Sequence, residues 1–329
     1  MALVIDRLTG RASQGSEGLR LSDVLFQHQT KGFETLAPLP SNIEAIEAAL
    51  LFSSGLNTLT AIAGPSGWGK SHLLRAASEH MAKVGSSRPN VEAAVDWVEA
   101  QKFADSNQPL ILDDVQDVLG KPRLRLMFRL ALERRVRSNR ATLLSFTAPK
   151  ACRQIRSALP STRNWTVVCL EAPHPAERHL VLRQIASNEG VSLSEPLIRL
   201  LASRLKGDGR TLQGAVRRLG LESPIWLGEE SALRASGLLA PFFADNSTWD
   251  LRDHVYEHAS KFPTDSPRNL AVVALRRVAC MPESDIAKYF GISQGEVYAI
   301  CESYDSKGEE NIVTEGRLQS FIGEVVRDF

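Results

Sequence analysis

The sequence lacks several features that would assign the protein to a particular class. It has four cysteines, without CxxC spacing or partnering histidines, which indicates neither a zinc site nor a disulfide framework. No window reaches the roughly eighteen uninterrupted apolar residues of a membrane span. Asp6 and Arg7 stand where a signal peptide needs its apolar core. These absences predict a cytoplasmic protein that makes no contact with a membrane.

The chain also lacks an overall charge of either sign. Its 39 lysines and arginines nearly balance 38 acidic residues, so composition alone predicts neither a polyanion-binding protein nor an acidic one. Charge is instead concentrated locally. Residues 121–140 contain eight basic residues and one acid, whereas residues 250–329 contain 9 basic and 14 acidic residues, a net charge of −5. Any contact with nucleic acid is therefore expected from local patches.

Apolar runs and helical patterns alternate between about residues 43 and 170, and later segments have helical periodicity. The runs are LTAIA, AAVDW, PLILDD, ATLLSFT and WTVVCL. This alternation predicts an α/β core with five parallel strands and flanking helices. At 329 residues the chain is long enough for two or three domains. The predicted divisions are an N-terminal arm at 1–40, the α/β core at 41–172, a small helical domain at 173–220, a connector at 221–262 and a third, helical domain at 263–329.

The segment GPSGWGKS, after the first apolar run, matches the phosphate-binding pattern G-x-x-x-x-G-K-[ST]. Its glycines let backbone N–H groups converge on phosphate oxygens at the start of a helix. Lys70 would reach the β- and γ-phosphates, and Ser71 would hold Mg²⁺ through its hydroxyl group. The alternative is a glycine-rich turn with a surface lysine. The predicted nucleotide-binding residues are Gly64, Pro65, Ser66, Gly67, Trp68, Gly69, Lys70, Ser71 and His72.

A pair of acidic residues follows the third apolar run, in PLILDDVQ. At the carboxyl end of a strand, Asp113 would complete the shell of the metal, and Asp114 would orient or deprotonate an attacking water. The alternative is a solvated acidic pair after a core strand. The phosphate-binding pattern earlier in the chain favours the first interpretation. The sequence therefore predicts a site for ATP and Mg²⁺.

Several segments together resemble the AAA+ ATPases of the DnaA type, the bacterial replication initiators and their relatives. They are SNIEAIEAAL, GPSGWGKSHLLRA, ILDDVQ, LLSFTAPK and DGRTLQGAVRRL, and the similarity covers about residues 25–325. Of these segments, GKSHLLRA and DGRTLQGAVRRL are the ones specific to this family. The resemblance implies an AAA+ P-loop parallel-sheet core with a helical lid, followed by an all-α helix-turn-helix domain. It also implies slow ATP hydrolysis and self-assembly.

The resemblance assigns roles to further polar residues. Thr147, or alternatively Ser145, occupies the strand position that contacts the γ-phosphate region, where the family usually has aspartate. Arg210 matches the lid arginine that reports the γ-phosphate; otherwise it is an ordinary arginine at a helix start. Arg163 is the candidate arginine finger, one residue closer to Trp165 than the family spacing, or else a surface arginine beside the strand.

The third domain contains a helix-turn-helix pattern in ESDIAKYFGISQGEVYAICESY. Ala287, Gly291 and Val297 stand at its small, turn and apolar positions. The basic signature that reads the origin box in the family is missing. Because this region is also acidic, we expect the fold of a DNA-binding domain without strong DNA binding. The candidate contacts are Arg268, Arg276, Arg277, Ser293, Gln294, Glu296 and Tyr298.

The basic segment 121–140 has helical periodicity. Its predicted packing face consists of Leu124, Met127, Phe128, Leu130 and Ala131, and the arginines line the remainder. We expect this basic surface to contact nucleic acid or an acidic partner. The alternative is a solvated basic face. The candidate nucleic-acid contacts are Arg134, Arg135 and Arg137.

The leading interpretation is a DnaA-like, ATP-binding switch in DNA replication, with nucleotide state controlling assembly and nucleic-acid contact. Its partners would be DNA, duplex or single-stranded, and copies of itself or DnaA-like AAA+ proteins. A second hypothesis is a regulatory paralogue that binds the initiator or another AAA+ protein without specific DNA contact. A third is a helix-turn-helix transcription regulator gated by ATP.

Overall fold

The computed structural model describes most of the chain after residue 31. The described ranges are 32–85, 88–103, 107–148, 155, 158–161, 164–243, 250–264, 266–305 and 310–329, without the side chains of 241, 305 and 310–314. They all belong to the second of the chain's two compact units, Lys31–Phe329. Most of the predicted N-terminal arm, residues 1–31, lies outside the described residues, and so does Arg163.

Five parallel strands form the central sheet, in the order β2-β3-β4-β1-β5. They are β1 Leu59–Gly64, β2 Val91–Ala93, β3 Leu110–Asp113, β4 Thr142–Thr147 and β5 Thr166–Cys169. Strand β1 pairs with β4 on one side and β5 on the other, and all six of its residues are buried. Burial on both faces explains why β1, β3 and β4 are mainly apolar runs rather than patterns that alternate apolar and charged residues.

Helices cover both faces of the sheet. They are α1 Ile43–Ser53, α2 Lys70–Lys83, α3 Ala94–Glu99, α4 Gln116–Leu119 and α5 Pro122–Arg137. On one face, Ile62 and Leu143 pack with residues of α1 and α2. On the other, Ala61 and Leu144 pack with residues of α3 and α5. Neighbouring residues of a strand point to opposite faces, so each strand contributes to both hydrophobic layers.

The second predicted strand is wrong in its position. The run AAVDW was predicted as a strand, but β2 ends at Ala93 and most of the run forms α3. Ala94, Trp97 and Val98 are buried at the i, i+3, i+4 spacing of a helix, which fixes the helical conformation through packing. The predicted α/β fold with five parallel strands is nevertheless confirmed.

The rest of the described chain is mainly helical. The helices are α6 Arg178–Asn188, α7 Glu195–Arg204, α8 Gly209–Glu222, α9 Glu229–Phe243, α10 Leu251–Lys261, α11 Pro267–Val273, α12 Glu283–Phe290, α13 Gln294–Asp305 and α14 Glu310–Arg327. A π-helical turn, Ala274–Val278, continues α11. Two short strands, β6 Ser192–Leu193 and β7 Ile225–Trp226, pair in parallel. The predicted connector therefore contains α9 and α10.

One hydrophobic cluster, which we call the shared cluster, extends from Leu182 in α6 to Val326 in α14. It includes Leu201 of α7, Leu239 of α9 and Phe321 of α14, all fully buried. Helix α9 contacts both α7 and α14 and so lies between them. The predicted small helical domain and the predicted C-terminal domain therefore share one continuous core.

The cysteines differ in their bonding. Cys169 is disulfide-bonded, which the cysteine spacing did not predict, whereas Cys280 and Cys301 are free thiols. Among the described helices, none combines the length and the apolar character required to cross a membrane.

Candidate nucleotide-binding site

The phosphate loop, residues 64–71, lies between the end of β1 and the start of α2. Gly67 and Gly69 have φ angles of 77° and 101°, which glycine adopts more readily than other residues. At Gly64, a Cβ atom would lie 2.5 Å from the carbonyl oxygen of Leu170. Glycine is therefore required at these positions by the path of the backbone and by the close approach of the neighbouring strand.

Lys70 is buried, with 5% of its surface exposed, and its Nζ donates a hydrogen bond to the carbonyl oxygen of Pro65 at 2.8 Å. Burial lowers the pKa of Lys70, the carboxylates of Asp114 and Asp113 oppose that lowering, and Arg210 adds to it. The structure thus brings one buried cation within electrostatic range of two carboxylates and a second cation. These four residues come from three separate segments of the chain.

Asp113 ends β3, and Asp114 follows it with a φ of 53°. The backbone N–H of Asp114 donates to Oδ1 of Asp113 at 3.1 Å and to Oγ of Ser145 at 3.0 Å. The Ser145 hydroxyl in turn donates to Oδ1 of Asp113. Ser145, the alternative to Thr147 in the sequence, therefore orients the carboxylate predicted to hold the metal.

The carboxylate of Asp114 is held by residues from the neighbouring strand and from α4. Its Oδ1 accepts hydrogen bonds from Oγ1 of Thr147 at 3.2 Å and from Nε2 of Gln116 at 3.0 Å. Gln116 also accepts a bond from the backbone N–H of Thr147 at 2.7 Å. Sequence reasoning missed Gln116. Its position in DDVQ, two residues after Asp114, was the available signal.

The predicted metal site has one carboxylate and one hydroxyl. Among the described residues, no three histidine, cysteine, aspartate or glutamate side chains come together as a metal site of their own. Magnesium suits such a sparse set, because it commonly binds one or two carboxylates and takes other ligands from phosphates and water. The Asp113 carboxylate, oriented by Ser145, and Ser71 at the start of α2 fit this requirement.

The start of α8 lies directly against the phosphate loop. Asp208 caps this helix by accepting hydrogen bonds from the N–H groups of Arg210 at 3.0 Å and Thr211 at 3.2 Å. A Cβ on Gly67 would overlap the Asp208 carboxylate, and one on Gly209 would lie 2.7 Å from the carbonyl oxygen of Gly67. The exposed Arg210 is thereby placed beside the loop.

His72 contacts the segment before the sheet. Its Nε2 lies 2.6 Å from Oγ1 of Thr35, and the carbonyl oxygen of Thr35 accepts a bond from Asn188 of α6 at 2.8 Å. The predicted nucleotide-binding role of His72 stays a prediction. The structure shows instead a polar link from α2 through Thr35 to α6.

The basic surface of α5 is exposed and includes apolar side chains. Its exposed basic residues, which we call the basic face, are Lys121, Arg123, Arg125, Arg129, Arg134 and Arg137. Leu126 and Leu130 are 61% and 56% exposed and lie one turn apart on the same side of the helix. Leu130 was predicted to pack on the core. That expectation is wrong, because the residues that α5 buries are centred on Phe128, Leu132 and Arg135.

Arg135 was predicted on the basic surface and lies inside the protein instead, 8% exposed. Its Nη2 donates to the carbonyl oxygens of Gln108 at 2.8 Å and Ala141 at 3.2 Å. Burial, with a smaller contribution from Arg140, lowers the pKa of Arg135 to about 10. This arginine therefore ties α5 to the starts of β3 and β4 and is not part of the surface.

Replacement of Arg135 by alanine should reduce the free energy of unfolding by about 1 to 3 kcal/mol, because buried carbonyl oxygens lose a charged donor. Arg134→Ala is the matched control. It removes the same charge from an exposed neighbouring position and should change stability by less than about 0.5 kcal/mol. Urea denaturation of both variants measures the difference. Equal stability of the two variants would show that the bonds of Arg135 contribute nothing.

Helices α12 and α13 are joined by a short turn at the place where the sequence predicts a helix-turn-helix pattern. Gly291 ends α12 with a φ of 64°, and the N–H of Ile292 bonds to the carbonyl oxygen of Ala287 at 3.0 Å. Val297 is fully buried and Ala287 nearly so. Gly291 therefore lies at the predicted turn, and Ala287 and Val297 are buried as predicted, while a helix-turn-helix domain that binds DNA stays a prediction.

Several predicted DNA contacts in this region already have partners within the chain. Ser293 and Glu296 form a capping box at the start of α13, with Glu296 accepting from the Ser293 N–H at 2.7 Å and hydroxyl at 2.9 Å. These bonds lower the pKa of Glu296, and Arg268 adds to the effect. Arg276 pairs with Glu283 at 2.8 Å. Arg277 lies 4.0 Å from Glu315, and Gln294, Tyr298 and Arg268 are exposed.

The chain is similar to known proteins both in sequence and in structure. No family model matches the chain. The chromosomal replication initiator proteins DnaA of Burkholderia mallei (strain SAVP1) and Burkholderia pseudomallei (strain K96243) are each 31% identical to it over 173 residues. Each match covers 47% of this chain and 32% of the relative, so the chain matches about a third of the relatives' own length.

Among solved structures, domain III of the Thermotoga maritima replication initiation protein DnaA has the same fold. It aligns with a TM-score of 0.53 and 20% identity, over 66% of this chain and 98% of that chain. The sheet with its phosphate loop, the structural likeness to domain III and the sequence similarity to the initiators lead to one conclusion. The chain has the fold of DnaA domain III and is similar in part of its sequence to the DnaA-type initiators.

Proposed function

We propose that the chain is an ATP-binding switch with slow ATPase activity that acts in the initiation or regulation of DNA replication in the cytoplasm. The observation that carries this proposal is the convergence of Lys70, the two aspartates at the end of β3 and Arg210 beside the phosphate loop. A buried cation beside carboxylates at the start of a helix suits a nucleoside triphosphate with its metal.

Different residues of the site would bind the nucleotide and promote its hydrolysis. Backbone N–H groups of the phosphate loop and Lys70 would hold the phosphates, and Ser71 and Asp113 would hold Mg²⁺. The metal would supply charge neutralisation at the phosphate oxygens. Asp114, oriented by Thr147 and Gln116, would position the water.

Nucleotide state would be communicated through the lid, the predicted domain at 173–220. Arg210 would report the γ-phosphate from the start of α8, and Arg163 would act as arginine finger on a neighbouring subunit. We propose the remaining divisions as predicted: a core at 41–172, a connector at 221–262 and a helix-turn-helix domain at 263–329. Assembly of copies would then depend on whether ATP is bound.

The basic face of α5 would supply the nucleic-acid contact. Its six exposed basic residues occur with a single acid in the helix, Glu133, which lies 3.5 Å from Arg129 and 3.8 Å from Arg137. Such surface pairs contribute little energy and leave the positive potential of the face largely intact. The exposed Leu126 and Leu130 would add apolar contact with sugars or bases.

Arg123, Arg134 and Arg137 replaced together by alanine should weaken DNA binding and flatten its salt dependence. Each lost phosphate contact removes about 0.7 to 0.9 from the slope of log K against log salt. Fluorescence anisotropy with duplex and single-stranded DNA, in the presence of ATP, measures both quantities. Arg183, Arg217 and Arg234 form the matched control, because their removal changes the charge equally, away from α5.

Arg268 and Tyr298, replaced by alanine in the full chain, test the alternative DNA contact at α13. Deletion of the C-terminal helices is unsuitable, because it would expose the shared cluster. We expect the Arg268 and Tyr298 variant to lose less affinity than the α5 variant. The reverse order would assign DNA binding to the helix-turn-helix and would contradict the role of the basic face.

A regulatory protein without specific DNA contact is the second candidate. The occupied side chains of Ser293, Glu296 and Arg276 favour it, because these groups would have to exchange internal partners for DNA. If the parent protein binds no DNA in the same titrations but forms a complex with a DnaA-type initiator in ATP, this second function is supported.

A further inference from the structure

Trp68 lies inside the phosphate loop and connects two hydrophobic clusters. It is partly buried between Gly67 and Gly69. Its ring packs against the cluster of Ile62 and Leu73 under the sheet and also against the shared cluster. A phosphate loop uses its backbone N–H groups at this position, so a large side chain is not required for phosphate binding itself.

Arg178, the first residue of α6, contacts the ring of Trp68. Its guanidinium carbon lies 5.8 Å from the centroid of the Trp68 ring, within the range of a cation–π contact. The same guanidinium group donates to the carbonyl oxygens of Ala202 at 3.1 Å and Leu205 at 2.5 Å. Burial lowers the pKa of Arg178. This arginine therefore joins Trp68 to the end of α7 and the loop before α8.

The ring also lies against the first turn of α8. A Cβ on Gly209 would be 3.7 Å from Cε3 of Trp68, and Gly209 immediately precedes Arg210. Helix α8 therefore meets the phosphate loop through two contacts: Asp208 and Gly209 on the backbone of Gly67, and Gly209 on the ring of Trp68.

We propose that the Trp68 side chain is a positioning residue, which sets the start of α8 over the phosphate loop and so directs Arg210 toward the γ-phosphate. This inference rests on the proposed function as an ATP-binding switch. It assigns to Trp68 a role in discriminating ATP from ADP, separate from phosphate binding by the loop. Removal of the ring would let the start of α8 move away from the loop.

A double-mutant cycle between Trp68 and Arg210 tests the proposal, with ATP and ADP affinities measured by titration calorimetry. Trp68→Ala should weaken ATP binding about tenfold and ADP binding less than about twofold, because ADP has no γ-phosphate for Arg210 to reach. The double variant should bind ATP about as well as Arg210→Ala alone, since the two residues act through one contact. Trp68→Phe, which keeps an aromatic face for Arg178, should restore most of the discrimination.

Trp97→Phe is the control, because it makes the same tryptophan-to-phenylalanine change in a different hydrophobic cluster. This variant should change neither the ATP affinity nor the ADP affinity. If Trp68→Ala does not fold, Trp68→Leu takes its place in the cycle. Additive losses of Trp68 and Arg210, or an equal loss of ATP and ADP affinity, would overturn the proposal. If the folded parent protein binds neither ATP nor ADP, the proposed function is contradicted instead. Titration of the parent, before any variant is compared, shows this outcome.

Discussion

Lys70→Ala should lower ATP affinity by at least about a hundredfold while the protein remains folded. Charged hydrogen bonds to phosphate are roughly twice as strong as neutral ones, and a loss of about 2.7 kcal/mol corresponds to this factor. Within the protein, the Nζ of Lys70 bonds to the carbonyl oxygen of Pro65 in the phosphate loop, whereas α2 packs on the sheet through Leu73, Leu74 and Met81, which the variant keeps. The melting temperature should stay within about 4 °C of the parent. Titration calorimetry and circular dichroism measure the two quantities.

Lys83→Ala is the matched control for this experiment. Lys83 ends the same helix, is exposed, and pairs with Glu34 at 3.2 Å. Its loss removes an equal charge without touching the phosphate loop, so ATP affinity should stay near that of the parent. Unchanged ATP affinity in a folded Lys70→Ala variant would refute the nucleotide-binding interpretation of the loop.

Asp114→Asn should reduce the rate of ATP hydrolysis by about a hundredfold or more, while Mg·ATP still binds. General-base and orienting groups contribute factors of about 10² to 10⁴, and an amide cannot accept the proton from water. An asparagine oxygen can still accept the bonds from Thr147 and Gln116, so the position of the side chain should be kept. Single-turnover hydrolysis and calorimetric binding separate the two effects.

Asp117→Asn provides the comparison at the next acidic position. Asp117 is exposed at the start of α4 and accepts a bond from Gln116 at 3.3 Å, without contact to the predicted metal ligand. Its turnover should equal that of the parent. If the Asp114 variant hydrolyses ATP as fast as the parent, Asp114 has no role in the hydrolytic step. If the variant loses Mg·ATP binding, Asp114 is instead a ligand of the metal.

Much of the fold was predictable because the strands that position the site are buried on both faces. The runs around Ile62, Leu112 and Leu144 are mainly apolar and do not alternate with charged residues, so this pattern can be recognised in the sequence without knowledge of tertiary contacts. The glycines of the phosphate loop were predictable for a similar reason. Their backbone conformations exclude most other residues, so the pattern itself contains the constraint.

The remaining features depend on contacts between distant segments. Arg135 has the same helical periodicity as its neighbours, and only the approach of Gln108 and Ala141 makes it an interior residue. The bond from Thr147 to Gln116 joins residues 31 positions apart. By contrast, the capping box of Ser293 and Glu296 follows from the local pattern S-x-x-E. That pattern could have removed Ser293 from the candidate DNA contacts before the structure was known.

The shared cluster has a mechanical consequence for the distant end of the molecule. It includes Leu212 of α8, two residues after Arg210, and Val297 of α13, one residue before Tyr298. A close-packed core resists internal sliding, so the helices that it joins are expected to turn together as a rigid arm. If ATP shifts α8 over the phosphate loop, the exposed side of α13 would then change the direction in which it faces, without a hinge between them.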